Sequence, residues 1–113
     1  MDCIFCHIGS GKIPSEVVYQ DEKVLAFRDI NPQTPVHILV IPKEHFTSLV
    51  DITSQEALLI GHMVSVANQM ARDEGISDIG YRLVINCGKQ GGQLVPHLHL
   101  HVLGGRQLSG QLG

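Results

Sequence analysis

The segment Pro96-His97-Leu98-His99-Leu100-His101-Val102-Leu103-Gly104 sets three histidines at strict two-residue spacing, with aliphatic residues between them. Successive side chains of a β-strand point to opposite faces, so period two means extended backbone. The alternation predicts a strand over Leu98 to Leu103, with His97, His99 and His101 on one face and the leucines on the other. A strand face given over to imidazoles points to proton transfer, nucleophilic attack or metal binding, the uses of a group that titrates near neutrality.

Such a strand needs neighbours, and the chain supplies them. His37-Ile38-Leu39-Val40-Ile41, closed by Pro42, is a β-branched and aliphatic run of the kind that forms a buried central strand. Glu16 to Gln20 and Val24 to Asp29 read as two more strands joined by a polar turn. The prolines at 32 and 35 make Ile30 to Pro35 a loop. Ile4 to Ile8 reads as a short helical turn, broken by Gly9-Ser10-Gly11.

Thr53-Ser54-Gln55-Glu56 matches a capping box and starts the long helix. Ile60, Met63, Val64, Ala67, Met70 and Ala71 form its apolar stripe, His62 lies off that stripe toward solvent, and Gly75 supplies the stop. Tyr81 to Asn86 is the penultimate strand, linked to the histidine strand through the glycine-rich Cys87 to Gln93. Strands in runs around one helix predict an α+β domain over residues 1–113. Its antiparallel meander sheet has about five strands, with one long helix and a short N-terminal one.

Composition narrows the chemistry. A net charge of −3, with eight scattered Lys and Arg, opposes a nucleic-acid or anionic-membrane surface. Two Tyr, three Phe and no Trp are too few for a base-stacking platform along a strand of nucleic acid. No segment approaches the ~20 apolar residues of a membrane span, and the N-terminus has no signal-peptide pattern, so a cytoplasmic protein is expected. Three cysteines cannot all pair, and in a reducing compartment Cys3-x-x-Cys6 suggests metal binding or burial rather than a disulfide.

Within the triad, His97 and His101 are separated along a strand by roughly 13 Å at ~3.3 Å per residue, too far for all three rings to share one ion. A nucleophilic histidine with helpers, or a hydrolase using histidine-bound zinc, remain as readings. Ser10-Gly11-Lys12 is not a phosphate-binding loop, because Ile13 stands where that loop requires Ser or Thr.

His97-Leu98-His99-Leu100-His101-Val102-Leu103 resembles the motif of the histidine triad superfamily of nucleotide hydrolases and transferases. Ile13-Pro14-Ser15, Ala26 to Gln33, His37 to Lys43, Gly91-Gly92-Gln93 and Gly104-Gly105-Arg106 extend the likeness to its Hint branch along nearly the whole chain. The resemblance implies that fold and the hydrolysis of adenosine 5′-phosphoramidates and related purine nucleoside phosphoramidates. Dinucleoside polyphosphate hydrolysis and nucleotidyl transfer are the alternatives within the superfamily.

By position in the motif, His99 is the nucleophile and His101 its acid or phosphate partner. The resemblance further implies that the backbone of His97 orients His99 and that His37 steadies the tautomers. Asn86, Gly92 and Gln93 match residues near the phosphate. Phe5, Ile8, Phe27 and Leu39, with Ile4, match the base slot, and Asp29, beside Ile30, the ribose contact. Catalysis is expected to need no cofactor. Cys3, Cys6, His45 and His97 resemble the structural zinc site of bacterial relatives. The expected partners are a purine nucleoside monophosphate or phosphoramidate and a second copy of the chain in a homodimer. Leu94 stands where animal Hint proteins typically carry serine, and the segment from Gly105 to Gly113 replaces the family's usual tryptophan- and proline-containing tail.

Overall fold

In a computed structural model, which describes residues 3–113, the centre of the sheet is the aliphatic run before Pro42. Strand β3 (Val36–Pro42) is buried along nearly its whole length. It pairs antiparallel with β2 (Val24–Arg28), Ala26 facing Val40, and with β5 (Leu100–Gly104), Ile38 facing Val102. Strand β1 (Val17–Gln20) borders β2, and β4 (Tyr81–Val84) borders β5.

The strand order is β1-β2-β3-β5-β4. The α+β class, the five antiparallel strands and the two helices are as the sequence predicts, and β1 to β3 form the expected meander. The last two strands depart from a simple meander, since the chain lands first on the far edge as β4 and then returns as β5 between β4 and β3. Burial explains the order: β5 alternates fully buried and half-buried positions and needs neighbours on both sides, whereas β4 is half-buried throughout and suits an edge. Both strands are shorter than expected, so Asn86 lies beyond β4 and Leu98 precedes β5.

Alternation along the strands separates two cores. Val24, Ala26, Ile38, Val40, Leu98, Leu100 and Val102 pack against Met63, Val66, Ala67, Met70 and Ala71 of helix α2 (Ala57–Asp73). On the opposite face Leu25, Phe27, Leu39 and Ile41 meet Cys3 and Phe5, which belong to the cap and first turn of helix α1 (Ile4–Gly9). The leucines of the triad thus face α2, and the histidines share the α1 face.

The capping box is present, with Glu56 Oε1 accepting from Thr53 N–H at 2.8 Å. It opens a 3₁₀ turn, Ser54–Glu56, that runs directly into α2. At the other end Gly75 N–H donates to the Arg72 carbonyl and Ile76 N–H to the Ala71 carbonyl, closing the helix as a Schellman motif. His62 lies off the apolar stripe, but it does not simply face solvent, because its Nε2 is 2.6 Å from Asp21 Oδ2 on the β1–β2 turn. Among the described residues no helix is long and apolar enough to cross a membrane.

Gly75 sits at φ +75° with no heavy atom of the described residues near the place a Cβ would occupy, so its conformation and not crowding excludes a side chain. Gly75→Ala is expected to lower stability by about 1 kcal/mol, read by urea denaturation. An unchanged midpoint would show that the helix ends without help from the left-handed residue.

Candidate active site

His97 and His99 precede the β5 ladder, and this freedom shapes the site. His99 Nδ1 is 2.6 Å from the carbonyl oxygen of His97, an atom that can only accept. The hydrogen of the neutral ring therefore sits on Nδ1, and Nε2 keeps its lone pair. The ring of His99 is buried, with the edge of Phe5 against it at a centroid distance of 5.1 Å.

A second tautomer chain runs beside it. Gln33 N–H donates to His37 Nδ1 at 3.0 Å, so the hydrogen of a neutral His37 lies on Nε2. That Nε2 is 2.9 Å from His101 Nδ1 and 3.5 Å from Asp29 Oδ2. Since His101 Nδ1 accepts, His101 Nε2 must carry a hydrogen, and this nitrogen is buried with no hydrogen-bond partner among the described residues. An unpaired buried donor costs roughly 1–3 kcal/mol, a cost that an arriving acceptor would relieve.

Burial holds His101 neutral, pushing its pKa down to about 4, with repulsion from His99 and His37 adding to the effect. Burial likewise lowers the pKa of His37, against the pull of Asp29. Asp29, His37 and His101 bring donor atoms close enough to hold a cation. Ligation through His37 Nε2 would move that ring's hydrogen to Nδ1, facing Gln33 N–H, so the arrangement favours a hydrogen-bond relay over a metal.

His99 and His37 line a cavity of about 580 Å³ on the α1 face. Its apolar wall includes Ile4, Phe5 and Ile8 of α1, Phe27 of β2 and Leu39 of β3, and Asp29 and Ile30 stand on the loop side. Ile13, Pro14 and Val95 also line it without having been singled out for the pocket. His97 and His101 are not walls of this cavity; the ring of His101 packs against that of His99 at 5.0 Å.

Gly92 and Gln93 do not line the cavity either. Gly92 N–H donates to the Lys89 carbonyl within its own turn. Gln93 Nε2 donates to the carbonyls of Thr47 and Val95 while its Oε1 accepts from Gly88 N–H, so the amide braces the loop. Val84, the last residue of β4, is registered opposite His101, and Asn86 follows two residues beyond that ladder.

The four metal candidates do converge. Cys3 Sγ lies 3.3 Å from His97 Nδ1, Cys6 Sγ 3.3 Å from His45 Nδ1, and the two Nδ1 atoms are 3.1 Å apart. Tetrahedral zinc bonds of 2.0–2.3 Å imply ligand separations of roughly 3.3–3.8 Å, close to this arrangement. His97 Nε2–H donates to the Pro42 carbonyl at 2.9 Å, which strips Nδ1 of hydrogen and points its lone pair into the cluster. Burial, and then the neighbouring Cys3, push the Cys6 thiol pKa up. The donor set, with the Pro42 carbonyl orienting His97, fits zinc. The His97 carbonyl stands where the family resemblance set it, whereas the carbonyl of Pro42 and the N–H of Gln33 were not legible beforehand, because backbone atoms leave no mark in a side-chain pattern.

The HIT domain family model matches residues 10–108, and the chain belongs to that family. The purine nucleoside phosphoramidase of Escherichia coli K12 is 46% identical over 111 residues, 98% of this chain and 93% of that protein. A "14 kDa zinc-binding protein" of Zea mays is 52% identical over 108 residues, 94% of this chain and 84% of that one. The crystal structure of a HIT family hydrolase from Legionella pneumophila superposes with a TM-score of 0.97 at 46% identity, covering 99% of this chain and 100% of that one.

His101 supplies a direct check on the electrostatics. Above about pH 6.5 both folded and unfolded chains hold it neutral; as pH falls toward 4 the unfolded chain takes up a proton that the folded chain refuses, so its contribution to stability declines over that window. In an NMR titration its ring is expected to protonate near pH 4. A midpoint near 6.5 would contradict the buried, neutral assignment.

Proposed function

We propose that this chain hydrolyses adenosine 5′-phosphoramidates and related purine nucleoside phosphoramidates through a covalent nucleotidyl intermediate on His99. One observation carries the reading: the His97 carbonyl holds His99 Nδ1–H at 2.6 Å, leaving Nε2 as a lone-pair nitrogen on a ring that lines the cavity. Neutral imidazole is a competent nucleophile at cellular pH, and a fixed ring needs no reorganisation to attack.

In the first step Nε2 bonds to the α-phosphorus, the P–N bond breaks, and the amine leaves with a proton. In the second, water adds to the phosphorus and the P–Nε2 bond breaks, releasing the nucleoside monophosphate; the water's remaining proton replaces the one the amine carried away. His101 Nε2–H would donate to a non-bridging oxygen, satisfying the donor that is otherwise unpaired. An anionic phosphate beside it favours the protonated ring, so the same nitrogen can pass a proton to the departing amine. His37 transmits the fixed Gln33 N–H orientation to His101, and Asp29 is placed to accept from ribose hydroxyls.

The apolar wall of Phe5, Ile8, Phe27 and Leu39 suits a purine ring, and the phosphoramidase relative supports this substrate class over dinucleoside polyphosphates. Cys3, Cys6, His45 and His97 would hold a structural zinc. The ion would supply a crosslink between α1 and the segment before β5, with no part in the chemistry.

His99→Ala is expected to lower turnover of an adenosine phosphoramidate by on the order of 10³-fold or more while retaining AMP binding, measured by steady-state kinetics beside calorimetry. Turnover within a few-fold of the parent chain would remove His99 as nucleophile.

A further inference from the structure

The thiol–imidazole cluster and the nucleophile share a residue. The side chain of His97 belongs to the cluster, through Nδ1 at 3.3 Å from Cys3 Sγ, while its backbone carbonyl fixes His99 at 2.6 Å. A second link runs through α1. Phe5 lies between the two cysteines in sequence, and its ring packs edge-on against His97 at 5.9 Å and His99 at 5.1 Å. That ring also forms the cavity wall with Ile4 and Ile8 of the same helix.

Helix α1 cannot hold this position alone. It has six residues, well below the ~12 at which an isolated helix becomes marginal, and Phe5 is its one buried residue. Its cap is Cys3, whose sulfur accepts Cys6 N–H at 3.4 Å, so the two thiols fix both the start of the helix and its seat on the sheet.

We infer that the Cys3–Cys6–His45–His97 centre is a positioning device for the nucleoside site, so that metal occupancy and nucleotide binding are thermodynamically coupled. The inference rests on the nucleotide-site reading above. Cys3, Cys6 and His45 touch neither base nor phosphate in that reading; they act by holding the α1 wall and the His97 carbonyl. Coupling is reciprocal, so a nucleotide must tighten metal binding by the same factor by which metal tightens nucleotide binding.

The test uses the full chain, with AMP as probe and zinc as metal, and reads binding instead of turnover. Calorimetry compares AMP affinity in the zinc-loaded and chelated protein, with circular dichroism following the fold of each. A chelator competition then reads zinc affinity with and without saturating AMP. The expected result is AMP binding weaker by about tenfold or more without metal, and zinc binding tighter by the same factor with AMP.

The cobalt-loaded protein provides an arm that needs no metal-free state. AMP should perturb the cobalt absorption bands with the midpoint seen by calorimetry, and replacing His45 by cysteine, which keeps four ligands, should preserve the response. Equal AMP affinity in folded loaded and folded chelated protein would overturn the coupling while leaving the nucleotide site intact. If the chelated chain unfolds, cobalt bands that ignore saturating AMP would overturn it. Failure of AMP to bind the zinc-loaded chain would overturn the nucleotide-site reading, and this inference with it.

Discussion

The hydrogen bond from His99 Nδ1 to the carbonyl of His97 joins two residues that are neighbours on one face of an extended chain. It can form because residues 97–99 lie outside the β5 ladder. Three contacts hold them there: His97 N–H donates to the Val95 carbonyl, Leu98 N–H to the Phe46 carbonyl at 2.7 Å, and His97 Nε2–H to the Pro42 carbonyl. The first two are backbone contacts, and all three end on carbonyls. Loosening any of them would let the ring of His99 turn or change tautomer, and the wall formed by Phe5 would move with it.

The polar face is sustained by the dry one. Leu98, Leu100 and Val102 are buried against α2, and each such side chain contributes roughly 1.5–3 kcal/mol relative to exposure. The unpaired His101 Nε2 costs roughly 1–3 kcal/mol by comparison, so aliphatic burial on the reverse of the same strand can offset a donor left unpaired. Alternation thus anchors the strand by one face and lets the other carry an arrangement that would be unstable by itself.

Much of this was legible in the chain. Period two assigned the triad leucines and histidines to opposite faces, the aliphatic run before Pro42 marked the central strand, and Gly75 marked the helix end. The convergence of Cys3, Cys6, His45 and His97 was implied by the resemblance to bacterial relatives and not by spacing, since residues 6 and 45 lie far apart in sequence. Three things were hidden. Strand order after β3 depends on which strand needs two neighbours, a tertiary matter that local pattern does not encode. The contact between His62 and Asp21 crosses from α2 to a turn, so helical periodicity alone suggested solvent. Gln93 looked available for phosphate, but the loop carbonyls it braces have no signature in side-chain sequence.

The account turns on which atom forms the covalent bond. Mass spectrometry of the protein quenched during turnover of an adenosine phosphoramidate tests this most directly, with peptide mapping to locate any adduct. The account predicts an adenylate on His99, formed on the timescale of turnover and lost on further incubation. An adduct on His101 or His37, or turnover with no adduct under conditions that trap phosphohistidine, would contradict it.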